Sequence, residues 1–242
     1  MRIELETRRF YLGRDYSEAI AGFGCLPLHI PLIPDAGYID ALVDTLDGVM
    51  LPGADCDVDP ALYGEEPHPR LKKVVPEKDS TDRLVLAAAE RRGIPVMAIC
   101  YGMQALNVFR GGDLYQDIGS QAPDAIQHEQ GIPVTRRSHS VSIEADGRLA
   151  ELLSGFDGES LKVNSHHHQA IRNVGKDLTA TARAADSIIE AIEDTRPERY
   201  VMGYQWHPEL DWMNDQISTA IFESFSSACG QFAFDKSLTV TV

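Results

Sequence analysis

Cys100 has the sequence setting of a reactive cysteine. It follows the apolar run 94–99 and precedes residues of helical period, in the string Ala98-Ile-Cys-Tyr-Gly102. A strand, a tight turn and a helix in this order predict a nucleophile elbow, in which small residues at 98 and 102 let the two backbones approach. The sulfur would then lie at a helix N-terminus, where the dipole and free N–H groups favour the thiolate. Alone, the motif also fits a small core residue.

A histidine and a carboxylate two positions apart follow a predicted strand in Gly203-Tyr-Gln-Trp-His-Pro-Glu209. Pro208 favours extended backbone at His207, so the side chains of His207 and Glu209 should project to the same side. Glu209 could then hold one imidazole nitrogen while the other faces the thiol of Cys100. The three residues predict a nucleophile, a base and an orienting carboxylate, unless the string only ends a strand in a polar turn.

The other cysteines and a histidine run carry weaker signals. Cys25, Cys56 and Cys229 have no CxxC spacing, which predicts inert thiols and argues against a zinc site or a disulfide framework. The run His166-His-His168 contains common zinc ligands, but consecutive histidines cannot all face one ion, and no Cys or carboxylate accompanies them at ligand spacing. We therefore expect no metal and no cofactor.

The hydrophobic pattern predicts the elements that position these residues. In the first half, short apolar runs alternate with stretches of helical period, which indicates an α/β fold with a parallel sheet. Predicted strands here are 25–30, 48–51 and 94–99, with helices around Ile39, after a cap within 79–82, and over 103–109. From Ser138, alternating segments predict antiparallel strands at 139–143, 161–163, 178–182, 187–192 and 200–205, followed by a helix over 216–229 and an unplaced tail, 231–242.

Length and charge narrow the function classes. The 242 residues carry a net charge of −15, and this length fits one large domain, taken here as residues 1–242. The acidic excess argues against nucleic-acid binding, which depends on clustered Lys and Arg. The charged N-terminus and the lack of a long apolar run argue against a signal peptide or a membrane span, so we expect a cytoplasmic protein without a membrane partner.

Four strings resemble one family. The sequence is similar to class I glutamine amidotransferase-like hydrolases, specifically the γ-glutamyl-γ-aminobutyrate hydrolase branch, also called peptidase C26. The resemblance implies a flavodoxin-like three-layer sandwich with a mostly parallel central sheet and a small antiparallel β portion. The strings that carry it are 51–65, 99–117, 163–171 and 203–209.

The resemblance also implies roles for individual residues. Cys100 would be the nucleophile, His207 the base and Glu209 the third member of a triad. The oxyanion hole would consist of backbone N–H groups of Tyr101 and of the Gly53-Ala54 turn. The pocket rim would offer three possible substrate contacts, namely Gln104, His167 and Gln169.

Three departures from the family pattern stand out. Ala98 replaces the glycine usual two positions before the nucleophile, and Ala54 replaces the second glycine of the usual pair, where alanine narrows the allowed backbone angles. Family members also open with a short apolar strand, and Met1 falls just after it. We therefore expect the central sheet to lack that strand. We also expect Ala54 to restrict the backbone geometry of the oxyanion hole.

The implied reaction is hydrolysis of a γ-glutamyl amide through a thioester, without a cofactor. The partner would be a small γ-glutamyl compound, and a homodimer is the default assembly. Asp57 or Asp59 could orient a substrate amine, although a solvated acidic turn fits equally well. Two alternatives remain open: a glutaminase subunit that delivers ammonia to a synthase, or a silent binding module. Three arginines are unranked candidates for binding the glutamyl α-carboxylate: Arg70, Arg110 and Arg137.

Overall fold

The computed structural model describes residues 1–4, 9–156 and 161–240. Within these residues the chain forms strands in both halves, and the second half contains most of them. The strands are β1 (Arg2–Glu4), β2 (Arg9–Tyr11), β3 (Val49–Leu51), β4 (Val96–Ile99), β5 (Asp113–Tyr115), β6 (His139–Ile143), β7 (Leu161–Val163), β8 (Ala170–Asn173), β9 (Leu178–Ala184), β10 (Ile189–Asp194) and β11 (Val201–Tyr204).

One large sheet joins the two halves of the chain. In the described residues its order is β3-β4-β11-β10-β9-β6-β7. Strands β3, β4 and β11 are parallel, with Val96 aligned to both Val49 and Val201. The remaining neighbours pair antiparallel, so the antiparallel portion continues the parallel one within a single sheet. Two small antiparallel pairs, β1-β2 and β5-β8, stand apart from it.

Helices cover both faces of the sheet. The residues of β4 alternate between the two hydrophobic clusters, because successive side chains of a strand point to opposite faces. The helices are α1 (Arg14–Gly22), α2 (Ala36–Asp44), α3 (Pro76–Arg92), α4 (Tyr101–Phe109), α5 (Ile118–Gln121), α6 (Arg148–Leu153) and α7 (Gln216–Val240). Val96 and Ala98 pack with α2, α3 and α4, whereas Met97 and Ile99 pack with α1, α6 and α7. This layering confirms the α/β class that the sequence predicts.

The predicted strand at 25–30 is wrong. These residues form no strand, and Leu26 and Leu28 are 83% and 59% exposed. A cavity of about 480 Å³ is lined by this segment and by β3. The apolar alternation is present, but no strand in the described part of the chain pairs with this segment.

Two helix boundaries also differ from the prediction. Helix α3 starts at Pro76 rather than after a cap within 79–82, because a proline in the first turn gives up no intrahelical hydrogen bond. Asp79 and Asp82 are therefore buried helix residues. Helix α7 runs on to Val240 through most of the unplaced tail, whose residues 241–242 lie outside the described part. No helix in the described ranges is both long and apolar enough to span a membrane.

Candidate active site

Cys100 occupies a strained turn between β4 and α4. Its backbone has φ 52° and ψ −110°, which is unusual for a residue with a side chain, and its N–H donates to the carbonyl of Tyr204 at 2.7 Å. A Cβ at Gly102 would lie 2.2 Å from the carbonyl oxygen of Leu51, so α4 contacts the end of β3 at a position that excludes any side chain. The structure therefore has the elbow that the sequence predicts.

His207 lies just beyond β11, the strand next to β4. Its Nδ1 donates to Oε1 of Glu209 at 2.7 Å, and both side chains are buried. Asn164 holds the His207 backbone from both sides: its Oδ1 accepts from the His207 N–H at 2.8 Å, and its Nδ2 donates to the His207 carbonyl at 2.9 Å. The imidazole is thus fixed by its own carboxylate and by a second loop.

The structure brings His207 and Cys100 together. A Cβ at Gly53 would lie 2.9 Å from Cε1 of His207 and 3.5 Å from Cβ of Cys100. Burial lowers the pKa of His207, but the charges of Glu209 and Cys100 and hydrogen bonds to both raise it to about 10. The site therefore favours a protonated imidazole beside the sulfur.

Tyr16 is a member of the site that the sequence did not indicate. Its buried hydroxyl accepts a hydrogen bond from the Gly53 N–H at 3.1 Å. Burial raises the pKa of Tyr16 well above its usual value, and the charge of Glu209 and a hydrogen bond to it act in the same direction. Tyr16 lies on α1, outside the four strings that resemble the family, so no local motif could have identified it.

The predicted oxyanion-hole residues lie at the same edge of the sheet. Tyr101 is the first residue of α4, and its side chain points away into a buried contact with Asp79. Gly53 and Ala54 follow β3, and the Gly53 N–H donates to the Tyr16 hydroxyl. At Gly53 a side chain would collide with His207, so glycine is required there for a reason that the sequence did not supply.

The three predicted substrate contacts are buried and bonded to other protein groups. Gln104 donates to the Gln169 carbonyl at 3.0 Å and to Oε1 of Gln205 at 3.1 Å. Gln169 accepts from the Val58 N–H at 3.3 Å and donates to a backbone carbonyl at 3.2 Å. His167 donates from Nδ1 to the Gln169 carbonyl at 2.9 Å. The structure places them as supports of the surrounding loops, and their contact with substrate stays a prediction.

The three consecutive histidines face three different surroundings, as the sequence predicts. The ring of His166 lies edge-on to His207, with centroids 5.7 Å apart. His167 points into a buried polar cluster, and His168 donates to Oδ1 of Asp57 at 2.8 Å. Asp57 is therefore bonded to a histidine, and Asp59 caps a 3₁₀ turn through the Ala61 N–H at 2.9 Å.

The candidate arginines are all paired with carboxylates. Arg70 lies 3.6 Å from Asp117, and Arg137 lies 2.6 Å from Asp215. Arg110 belongs to a mostly buried ion cluster with Glu90 and Asp194. Arg2, which the sequence did not single out, donates to the Gly53 carbonyl at 3.2 Å and brings a positive charge to the turn beside Cys100.

Comparisons with known proteins found relatives in sequence and in fold. PuuD of Escherichia coli, a γ-glutamyl-γ-aminobutyrate hydrolase, is 33% identical over 234 residues, which cover 93% of this chain and 89% of the relative. YvdE of Lactococcus lactis, named as a candidate glutamine amidotransferase-like protein, is 39% identical over 183 residues, covering 75% of this chain and 74% of YvdE. Among solved structures, a candidate GMP synthase subunit from Thermoplasma acidophilum has a TM-score of 0.62 at 17% identity, covering 92% of this chain and 90% of that one.

The solved structure shares the fold at low identity, whereas the sequence relatives are close enough to place the chain in a family. The family model described as peptidase C26 matches residues 3–209. The chain therefore belongs to the peptidase C26 family, with glutamine amidotransferase-like proteins as its neighbours.

Proposed function

We propose that this protein hydrolyses the γ-glutamyl amide bond of a small γ-glutamyl amine, giving glutamate and the free amine through a thioester. The observation that carries the proposal is the imidazole of His207, held by Glu209 at 2.7 Å and facing Cys100 at a strained strand-helix turn. The relative PuuD, whose name states this activity, supports the substrate class.

Each proposed step uses a group that the site already holds. The Cys100 thiolate attacks the γ-carbonyl carbon, and the C–N bond breaks as protonated His207 gives its proton to the leaving amine. Water then attacks the thioester, with the now neutral His207 taking its proton, and the C–S bond breaks to release glutamate. Glu209 keeps the imidazole oriented throughout and stabilises its charged form.

The proposed oxyanion hole needs one local exchange of partners. The Tyr101 N–H can serve as one donor, because the first N–H groups of a helix have no intrahelical acceptor. The Gly53 N–H donates to the Tyr16 hydroxyl, so the developing oxyanion would replace that hydroxyl as acceptor, with the Ala54 N–H beside it. In other enzymes, removal of a single oxyanion-hole donor raises the activation barrier by about 3–4 kcal/mol.

The proposal is tested by intercepting the thioester. Purified protein and a γ-glutamyl anilide are incubated with hydroxylamine, and the products are separated by chromatography. We expect γ-glutamyl hydroxamate to form at the expense of glutamate, with amine release unchanged or faster. Direct hydrolysis by water would give glutamate alone, and that result would overturn the covalent mechanism.

A glutaminase role is the second candidate, because YvdE is named for glutamine amidotransferases. A panel of γ-glutamyl amines and glutamine, ranked by kcat/KM, separates the two functions. We expect several γ-glutamyl amines to exceed glutamine. Preference for glutamine, with ammonia release stimulated by a copurifying synthase, would favour the second candidate. Failure of every compound, with no labelling of Cys100 by iodoacetamide, would favour a silent binding module.

A further inference from the structure

Four polar side chains from separate segments meet in the interior beside the candidate active site. His128, His139 and His167 each point a ring nitrogen at Oε1 of Glu190, at 3.3, 3.2 and 3.6 Å respectively. All four residues are at most 9% exposed, and Glu190 is completely buried. We call these four residues the Glu190 cluster. No part of the proposed reaction uses it.

The outer nitrogen of each ring has a partner of its own. Nε2 of His128 donates to Oδ2 of Asp186 at 2.9 Å, and Nδ1 of His167 donates to the Gln169 carbonyl at 2.9 Å. Nδ1 of His139 lies 3.2 Å from the Ser138 hydroxyl. In a neutral imidazole, a ring N–H that is committed outward leaves the other nitrogen as a lone pair. When His128 and His167 are neutral, their lone pairs therefore face the Glu190 carboxylate.

The inner atoms are not satisfied by protein hydrogen bonds. Five atoms are buried and have no hydrogen-bond partner among the residues that the structure describes: Nδ1 of His128, Nε2 of His139, Nε2 of His167 and both oxygens of Glu190. Inward lone pairs and an ionised carboxylate repel one another, so the centre of the cluster needs positive charge. Either protons on the rings or a bound cation can supply it.

The arrangement favours a cation over shared protons. Charge-assisted hydrogen bonds between imidazolium and carboxylate are about 2.7–2.9 Å long, shorter than all three N···O distances here. Ligands about 2.0–2.1 Å from a tetrahedral ion are roughly 3.3 Å apart, close to the N···O distances of His128 and His139 to Glu190. The ligand atoms of these three residues lie within 4.8 Å of one another, so the two rings must move inward, and His167, whose ring nitrogen lies 3.6 Å from Glu190, stands outside this group. Outward N–H donation to a carboxylate or carbonyl is also typical of metal-binding histidines.

We propose that His128, His139 and Glu190 bind one divalent transition-metal ion of the Zn²⁺ type, with His167 moving inward as the fourth ligand. Three imidazoles and one carboxylate suit Zn²⁺, whereas Mg²⁺ and Ca²⁺ prefer oxygen ligands alone. With four protein ligands and no exposed side, the site is a closed, structural one. The expectation drawn from the histidine run differs, because only His167 of that run takes part and its three partners are distant in sequence.

The cluster also bears on the candidate active site. His167 follows His166, whose ring touches His207, and lies three residues after Asn164, which holds the His207 backbone. An ion at His167 would fix the loop that positions the base. The proposal does not depend on the reaction, because ion binding is measured directly.

The test uses the full chain without a histidine tag, stripped with a chelator and reloaded. We expect one Zn²⁺ per chain to remain after gel filtration, measured by inductively coupled plasma mass spectrometry, and a higher melting temperature in the loaded protein. Co²⁺ in its place should give the intense visible absorption of a tetrahedral site. A wild-type protein that retains no stoichiometric Zn²⁺ and melts at the same temperature with and without it would overturn the proposal and leave shared protons as the explanation.

Variants assign the ion to these ligands. Glu190→Gln keeps the volume and removes the charge, and His139→Gln removes one ring; we expect each to lower Zn²⁺ affinity at least 100-fold in competition with a chromophoric chelator. His166→Gln is the matched control, because it belongs to the same run but faces elsewhere, and it should bind like wild type. If Glu190→Gln does not fold, His139→Gln and the wild-type stoichiometry still decide. Wild-type affinity in His139→Gln would overturn the assignment.

Discussion

At the scale of single residues, His207 is held both by a carboxylate in its own string and by Asn164 from a distant segment. Its pairing with Glu209 was predictable, because both lie in one short string whose proline restricts the backbone. Its hydrogen bond to Asn164 was not predictable, and neither was the bond from the nearby Gly53 to Tyr16. Both join segments that are distant in the chain. The Glu190 cluster escaped notice for the same reason, since its members have no motif spacing.

Glu209→Gln should lower kcat/KM while leaving the fold in place. The amide keeps a hydrogen bond to His207 but loses the charge, so the pKa of His207 should fall from about 10 toward 6.5. We expect a drop of about 10²–10⁴-fold in kcat/KM. The alkaline limb of the pH profile should also move to lower pH, measured with a γ-glutamyl anilide.

The same change has a signed effect on stability. A pKa raised in the folded state means that protonated His207 stabilises the fold fully below about 6.5, and this contribution is lost as pH rises through about 10. The free energy of unfolding in urea should therefore fall more over this pH range for the wild type than for Glu209→Gln. The exposed change Glu151→Gln serves as control and should follow the wild type. Parallel pH profiles for all three proteins would contradict the assignment.

At the scale of elements, the turn from β4 to α4 was the most predictable feature, because its constraints are local. An apolar strand, two small residues and a following helical period suffice to define it. The segment 25–30 failed as a strand because pairing depends on a neighbour, which periodicity does not reveal. Helix α3 was misplaced by one turn because the polar residues near 79–82 resembled a cap, while Pro76 was the actual start.

Gly102→Ala should destabilise the protein by about 1–3 kcal/mol, because the added Cβ would meet the Leu51 carbonyl oxygen at 2.2 Å and push α4 away from β3. The displacement also moves Cys100, so kcat should fall as well. Urea unfolding measures the first effect and anilide turnover the second.

Gly119→Ala is a suitable control, because its nearest neighbouring atom is 4.0 Å from the added Cβ. It should leave both stability and turnover near wild type. Equal stability of the Gly102 and Gly119 variants would show that the strand-helix contact is looser than described.

At the scale of the whole molecule, the α/β class and the change from parallel to antiparallel strands were predictable from periodicity. The joining of both parts into one sheet was not, because it depends on β11 pairing parallel with β4 and antiparallel with β10. Long-range charge pairing was equally hidden. The sequence suggested Arg110 as one of three candidates for binding the glutamyl α-carboxylate. In the structure Arg110 instead pairs with Glu90 of α3 and Asp194 of β10.

Asp194→Asn should cost about 3 kcal/mol of stability at neutral pH, because it leaves Arg110 and Arg196 without their shared carboxylate. Burial raises the pKa of Asp194, but hydrogen bonds and charges of Arg196, with Arg110, lower it below 3.8 overall. A lowered pKa stabilises the fold above about 3.8, and that contribution is lost as pH falls through the folded-state pKa. Urea unfolding at pH 7 and in acid measures both effects.

The surface pair of Asp47 with Lys236 provides the control. Both side chains are well exposed and lie 3.7 Å apart, so Asp47→Asn should change stability by less than about 1 kcal/mol. A loss of similar size in both variants would mean that the Arg110 cluster does not act as a buried unit.

The central claim is that the sulfur of Cys100 forms the bond to substrate, and one comparison tests it most directly. Burial raises the pKa of the Cys56 thiol to about 12, which makes Cys56 an inert reference for the same chemical change. With a γ-glutamyl anilide, kcat/KM of folded Cys100→Ala should fall by about 10⁴-fold or more, while Cys56→Ala should stay near wild type. Wild-type turnover by Cys100→Ala would contradict the account.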